Sequence, residues 1–264
     1  MQRCLMELIK IGGVRGVALA ALLVVVTAFA WAGVVQSATT MRMPEMEPLS
    51  ALAMVEFTLQ WGVMMTAMML PSAAPMILLY SGGSRQRIES GERAIPPAAF
   101  AITYVAVWLL TGVPVYLAWV GVAGIATRWS TSGAAIPYAI AATVIATGVY
   151  QLSPAKHACL RQCQSPIDFL MRRWRSGYRG SLRLAATHAA YCIGCCWALM
   201  VLLVVAGAMS LPWVLAIGLV VFAEKVLPRG ERTARITGTA LIIAGVAIAI
   251  WPDLAGALRP HGSH

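Results

Sequence analysis

Seven apolar runs fenced by short polar segments constrain this chain more than any other feature. They lie at roughly 14–35, 53–80, 98–121, 134–152, 185–207, 212–227 and 236–252. A membrane crossing needs about 20 mostly apolar residues, so all but the short sixth run are long enough. Across its 264 residues the chain is 59% hydrophobic and only 11% charged. A soluble domain is about 45–50% apolar and about 25% charged. No single aqueous core hides that much apolar surface, and lipid is the expected solvent. The expected fold is all-α, a polytopic membrane helix bundle of about seven transmembrane helices.

The charges orient the bundle. With the N-terminus in the cytosol, the inner segments hold Arg3, Lys10 and Arg15, then Arg85, Arg87 and Arg93. The third inner segment holds Lys156, Arg161, Arg172, Arg173, Arg175, Arg179 and Arg183, and the fourth Lys225, Arg229, Arg232 and Arg235. Of the 20 lysines and arginines, only Arg42, Arg128 and Arg259 remain outside. This is the asymmetry of the positive-inside rule. It also explains the net charge of +10 without nucleic acid, which is excluded as a partner. The first run is longer than a signal peptide's apolar region of about 7–15 residues, and "VVQSATT" is a poor cleavage site, so it is taken as a span. The expected organisation is a cytosolic head and first helix over 1–35, a six-helix membrane domain over 36–252 and an outer tail over 253–264.

The inner basic loop, 153–184, has helical signals of its own. Ser153 with Pro154, and Ser165 with Pro166 and Asp168, read as an N-cap and first turn twice over. The second piece places Ile167, Leu170, Met171 and Trp174 near one face and arginines on much of the rest. It reads as an amphipathic helix on the inner membrane surface. A basic loop that only fixes topology explains the charge equally well, but not Cys159 and Cys163.

The stretch "THAAYCIGCCWALM", Thr187 to Met200, puts a histidine and three cysteines inside an apolar run. On a helix His188, Cys192 and Cys195 share a stripe about 60° wide, with Cys196 at its flank. Thiolates favour Cu(I), zinc and iron–sulfur sites, and imidazole suits zinc and copper. A lone cysteine in a span is a small hydrophobe. Four such side chains on adjoining positions point to a site, because lipid penalises polar groups.

A second stripe lies in "WGVMMTAMMLPSAAPMILLY", Trp61 to Tyr80, where Met65, Met68, Met69 and Met76 fall on one face. Pro71 and Pro75 are expected to break or kink that helix. Met69 lies about 16 Å from the inner end of its run and Cys192 about 12 Å from the inner end of its own. The two stripes can therefore face each other in the inner half of the bilayer. Methionine is also ordinary core filler, and both readings stand. The third cluster is His157, Cys159 and Cys163 in "KHACLRQC". It reads as a way in or out for metal, as part of the main site folded back under the fifth span, or as inert surface thiols. Glu224 and Lys225 are expected to pair and cap the sixth helix.

Together, "MMTAMMLPSAAPM", "YQLSPAKHACLRQCQSPIDFLMRRWR", "HAAYCIGCCWALM" and "EKVLPRG" resemble the bacterial family of predicted metal-binding integral membrane proteins, a domain-of-unknown-function family. The resemblance covers roughly Trp61 to Ile250. The histidine of "HAAYCIGCC" and the "CLRQC" pair are both present. The resemblance implies a multi-pass protein of the bacterial cytoplasmic membrane that binds metal through those histidines, cysteines and methionines.

The reading that gathers most of these features is metal handling. Cu(I) is the expected ion and zinc the alternative; the job is storage, delivery to a membrane or metallochaperone partner, or transport. Two rivals stand beside it. "CIGC", Cys192 to Cys195, is a CxxC, so a membrane thiol–disulfide protein is one, although burial two turns inside an apolar helix works against an activated thiolate. An accessory structural subunit is the other. There is no P-loop, GxSxG, HExxH or dinucleotide fingerprint, and no catalytic residue is assigned.

Overall fold

In the computed structural model the apolar runs become helices. The structure describes residues 2–40, 50–129, 135–205 and 210–254, and no strand occurs among them. The methionine-bearing loop Met41–Pro48, the Gly207–Ala208 pair and the C-terminal His261 and His264 lie outside the described residues. The helices are α1 (Gln2–Thr40), α2 (Ala51–Glu89), α3 (Pro97–Leu110), α4 (Gly112–Trp129), α5 (Ala135–Leu152), α6 (Pro154–Gln164), α7 (Pro166–Arg173), α8 (Tyr178–Val205), α9 (Leu211–Val226) and α10 (Gly230–Ile250).

Two of them form the interior. About three fifths of the apolar window of α2 and of α8 is buried (61% and 56%), against 11% for α1 and 22% for α10. These are the helices that carry the methionine and cysteine stripes. Helix α1 lies along α2, with Gly33 against Val63. Helices α5 and α10 approach through glycine: a Cβ on Gly148 would lie 2.7 Å from the Gly238 carbonyl oxygen, and one on Gly245 3.0 Å from that of Ala141. Small residues allow such backbone contact between helices.

By length and composition, five segments can cross a membrane: Val14–Ala38, α2, α3 with α4, α8 and α10. A sixth crossing arises if α5 and α6, bent by 60° at their junction, count as one. Helix α9, the short sixth run, has 16 residues, about 24 Å against a hydrocarbon core of about 30 Å.

Local chemistry explains most breaks. Ser153 accepts a hydrogen bond from the Lys156 amide (3.2 Å), and Pro154 starts α6, so the chain turns there. Pro166 starts α7 in the same way, but the Ser165 side chain makes no capping bond. At Thr111 the hydroxyl donates to the Trp108 carbonyl (2.6 Å) and accepts from Trp61 Nε1 (3.0 Å), joining the α3–α4 break to α2. The expected break at Pro71 and Pro75 does not occur: α2 runs unbroken through both. Leu70, Ala73 and Met76 around the two prolines are buried against the rest of the bundle.

The inner loop differs from a simple surface helix. Its inward residue is Phe169, 1% exposed, while Ile167 and Met171 are 57% and 72% exposed. Phe169 enters the bundle edge-on between the rings of His188 and Tyr191. Glu92, in the link between α2 and α3, ties the segment after α7: Ser176 Oγ donates to its carboxylate at 2.7 Å and Trp174 Nε1 at 3.3 Å. Those bonds, Ser176's foremost, hold the Glu92 pKa below the usual carboxylate range.

Candidate metal centre

Helix α8 buries His188, Cys192, Cys195 and Cys196. A helix that is apolar all round can be enclosed on several sides, so the four side chains meet different neighbours. The sulfur of Cys192 is 2.8 Å from the Lys225 ammonium and 2.8 Å from the Tyr104 hydroxyl. Its carbonyl accepts the thiols of Cys195 (3.1 Å) and Cys196 (3.0 Å), one turn on. The sulfur of Cys195 lies 4.0 Å from that of Cys163 on α6.

The methionine stripe enters at one point. Met69 Sδ is 3.5 Å from Lys225 Nζ, so one ammonium from α9 touches a thioether of α2 and a thiol of α8. Met65, Met68 and Met76 are buried in the same core. Met68 faces α9, where a Cβ on Gly218 would lie 3.5 Å from its Cγ.

Helix α6 lies against the same segment of α8. A Cβ on Gly194 would stand 2.9 Å from Cys159 Sγ, so the glycine inside "CIGC" makes the notch that this cysteine fills. Tyr150 of α5 donates a hydrogen bond to the Gly194 carbonyl. The two cysteines of the "KHACLRQC" cluster thus lie against α8. Cys159 and Cys163 are half-buried.

His188 is 3% exposed. Its ring lies 5.7 Å from that of Tyr104 and 5.4 Å from that of Phe169, and its Nδ1 has no hydrogen-bond partner. Buried polar atoms are normally satisfied, so this nitrogen stands out among the ring's apolar surroundings. His157 Nδ1 is also buried and unpartnered. Among the described residues no three or more His, Cys, Asp and Glu side chains gather into one metal-holding group. The soft atoms instead form a series: Cys163 to Cys195, then along α8 to Cys192, then across Lys225 to Met69.

Glu224 and Lys225 do not pair with each other. Successive helical residues point about 100° apart, and these two serve different sides of α9. Glu224 receives Lys156 Nζ at 2.6 Å and Gln151 Nε2 at 2.9 Å, and its carbonyl accepts Gln164 Nε2 at 2.6 Å. The ion pair is almost wholly buried, with side-chain exposures of 0% and 2%. It pins α6 to α5 and α9 and so holds Cys159 and Cys163 against α8. Sequence reasoning missed the roles of Lys225, Tyr104, Lys156 and Phe169. The signal for Lys225 was a cation at the end of an apolar run with no partner on its own helix face.

A cavity of about 380 Å³ lies beside α7 and the start of α8. Arg172, Arg173, Arg175 and Arg183 line it, so it is strongly basic.

Residues 58–248 match the model of a family, PpoB2, described as a copper chaperone. No curated protein and no solved structure matches the chain.

Proposed function

Because the chain belongs to the copper-chaperone family PpoB2, we propose that it is a membrane-embedded protein that takes up Cu(I) on cysteine sulfur and holds it between α2 and α8. The observation that carries this is the series of soft atoms from half-buried Cys163 through Cys195 to Cys192 and Met69. The donor set suits the ion: thiolates and a thioether prefer Cu(I), and an imidazole is compatible with it. The unpartnered Nδ1 of His188 supplies a further donor. Zinc is the alternative ion, and on this reading Met65, Met68 and Met76 support the pocket around Met69.

The same reading embeds the chain in a cytoplasmic membrane with seven crossings. Helix α9 crosses as a short, enclosed helix, α5 crosses above the bend, and α6 and α7 lie on the inner side. The basic segments support that orientation. The exposed Ile167 and Met171 then meet the lipid surface beside the arginines of α7. The thiol–disulfide alternative has one contact in its favour, the Cys163–Cys195 approach of 4.0 Å. The test is Cu(I) binding by protein purified in detergent under reducing, anaerobic conditions. Copper bound by the native chain and lost in Cys192→Ala/Cys195→Ala supports metal handling. Thiol turnover without bound metal supports the redox reading instead.

A further inference from the structure

Lysine is the least expected side chain between two buried sulfurs. Lys225 is 6% exposed, and among the described residues no carboxylate pairs with it. The adjacent Glu224 is already held by Lys156. An ammonium has three donors, and two of those of Lys225 point at sulfur, Cys192 at 2.8 Å and Met69 at 3.5 Å. Burying a cation without a partner is costly, so these sulfurs and the Tyr104 hydroxyl beside Cys192 are what tolerate it there.

We propose that Lys225 is a tethered stand-in for the metal: its ammonium occupies the cation position between Cys192 and Met69, and it swings out when Cu(I) enters. This rests on the copper-handling reading and deepens it, because it names the residue that sets how tightly copper is held and how fast it leaves. The exchange moves no electrons. Copper enters and leaves as Cu(I); the ammonium's hydrogen bonds to the two sulfurs break, bonds from copper to the Cys192 thiolate and the Met69 thioether form, and the Cys192 thiol proton passes to solvent as copper enters and returns as it leaves. A cation fixed on a side chain re-enters the pocket at high local concentration, so it competes with copper. Such a competitor suits a protein that hands metal on, because soft sulfur ligands bind Cu(I) tightly.

The experiment compares the native chain with Lys225→Leu and Lys225→Met, using a chromophoric Cu(I) chelator as competitor. Removing the nearby like charge is expected to raise Cu(I) affinity at least about tenfold and to slow release to excess chelator correspondingly. Arg85→Gln, which removes an exposed charge paired with Glu89, is expected to leave both unchanged. A second measurement needs no variant. Reductive methylation of Lys225, read by mass spectrometry of its peptide, is expected to rise when the native protein is loaded with Cu(I). Lys225 variants that bind no tighter than the native chain, or methylation indifferent to copper, overturn the proposal while copper handling stands. A native chain that binds no Cu(I) overturns both.

Discussion

Single atoms decide what the site can tolerate. At Gly194 a methyl group would sit 2.9 Å from Cys159 Sγ, and sulfur on a packed helix has little room to retreat. Gly194→Ala is expected to destabilise by about 1–3 kcal/mol and to speed alkylation of Cys159, both measurable in detergent. The Lys156–Glu224 pair has a different logic. Glu224→Leu alone leaves the buried Lys156 ammonium without its carboxylate and is expected to cost about 3–5 kcal/mol. Lys156→Met/Glu224→Leu removes both charges and is expected to recover most of that loss in thermal unfolding. The neighbouring pair of Glu224 and Lys225 shows where sequence reasoning stops. Adjacency suggested an ion pair, but the helical turn sends the two side chains to different partners. Which partners they find depends on helices far away in the chain.

At the scale of elements, local punctuation was the most legible part. Ser153 and Pro154 mark the turn into α6 because an N-cap and a proline act through their own backbone. The soft positions of α8 were legible through helical spacing. The partition of those positions was not: neighbours from α6, α9 and α3 draw Cys195, Cys192 and His188 towards different contacts. Phe169 was missed for the same reason, since its burial comes from the rings of α8. Helix α6 carries the half-buried thiols. If Cys163 passes copper to Cys195, Cys163→Ala is expected to slow Cu(I) loading several-fold while leaving final stoichiometry intact, as stopped-flow chelator competition would show. The tether at Glu92 carries a pH dependence. Its depressed pKa means its bonds to Ser176 and Trp174 stabilise the segment after α7 above the ordinary carboxylate range. That contribution is lost as pH falls through the lowered value. Hydrogen exchange at residues 174–177 is expected to accelerate over that acid range, and Glu92→Gln is expected to abolish the pH dependence.

Over the whole molecule, the all-helical fold and the long apolar segments followed from the runs themselves, since length and hydropathy are properties of contiguous sequence. The number of crossings does not follow so directly. Helix α9 has 16 residues, and α5 meets the length of a crossing only together with the bent α6. A short helix can be apolar because it is enclosed by protein, and composition alone does not separate that from contact with lipid. The expectation of copper came from cysteine and methionine in combination, and the matched family's description points to the same metal.

On the proposed function, the sulfurs of α8 and α2 hold Cu(I). Copper should therefore be measured by elemental analysis on protein purified anaerobically and loaded with Cu(I), beside His188→Ala, Met69→Leu and Cys192→Ala/Cys195→Ala. Near-stoichiometric copper is expected in the native chain, less in the two single variants and none in the double variant. Equal copper in all four proteins, or none in the native chain, would contradict it.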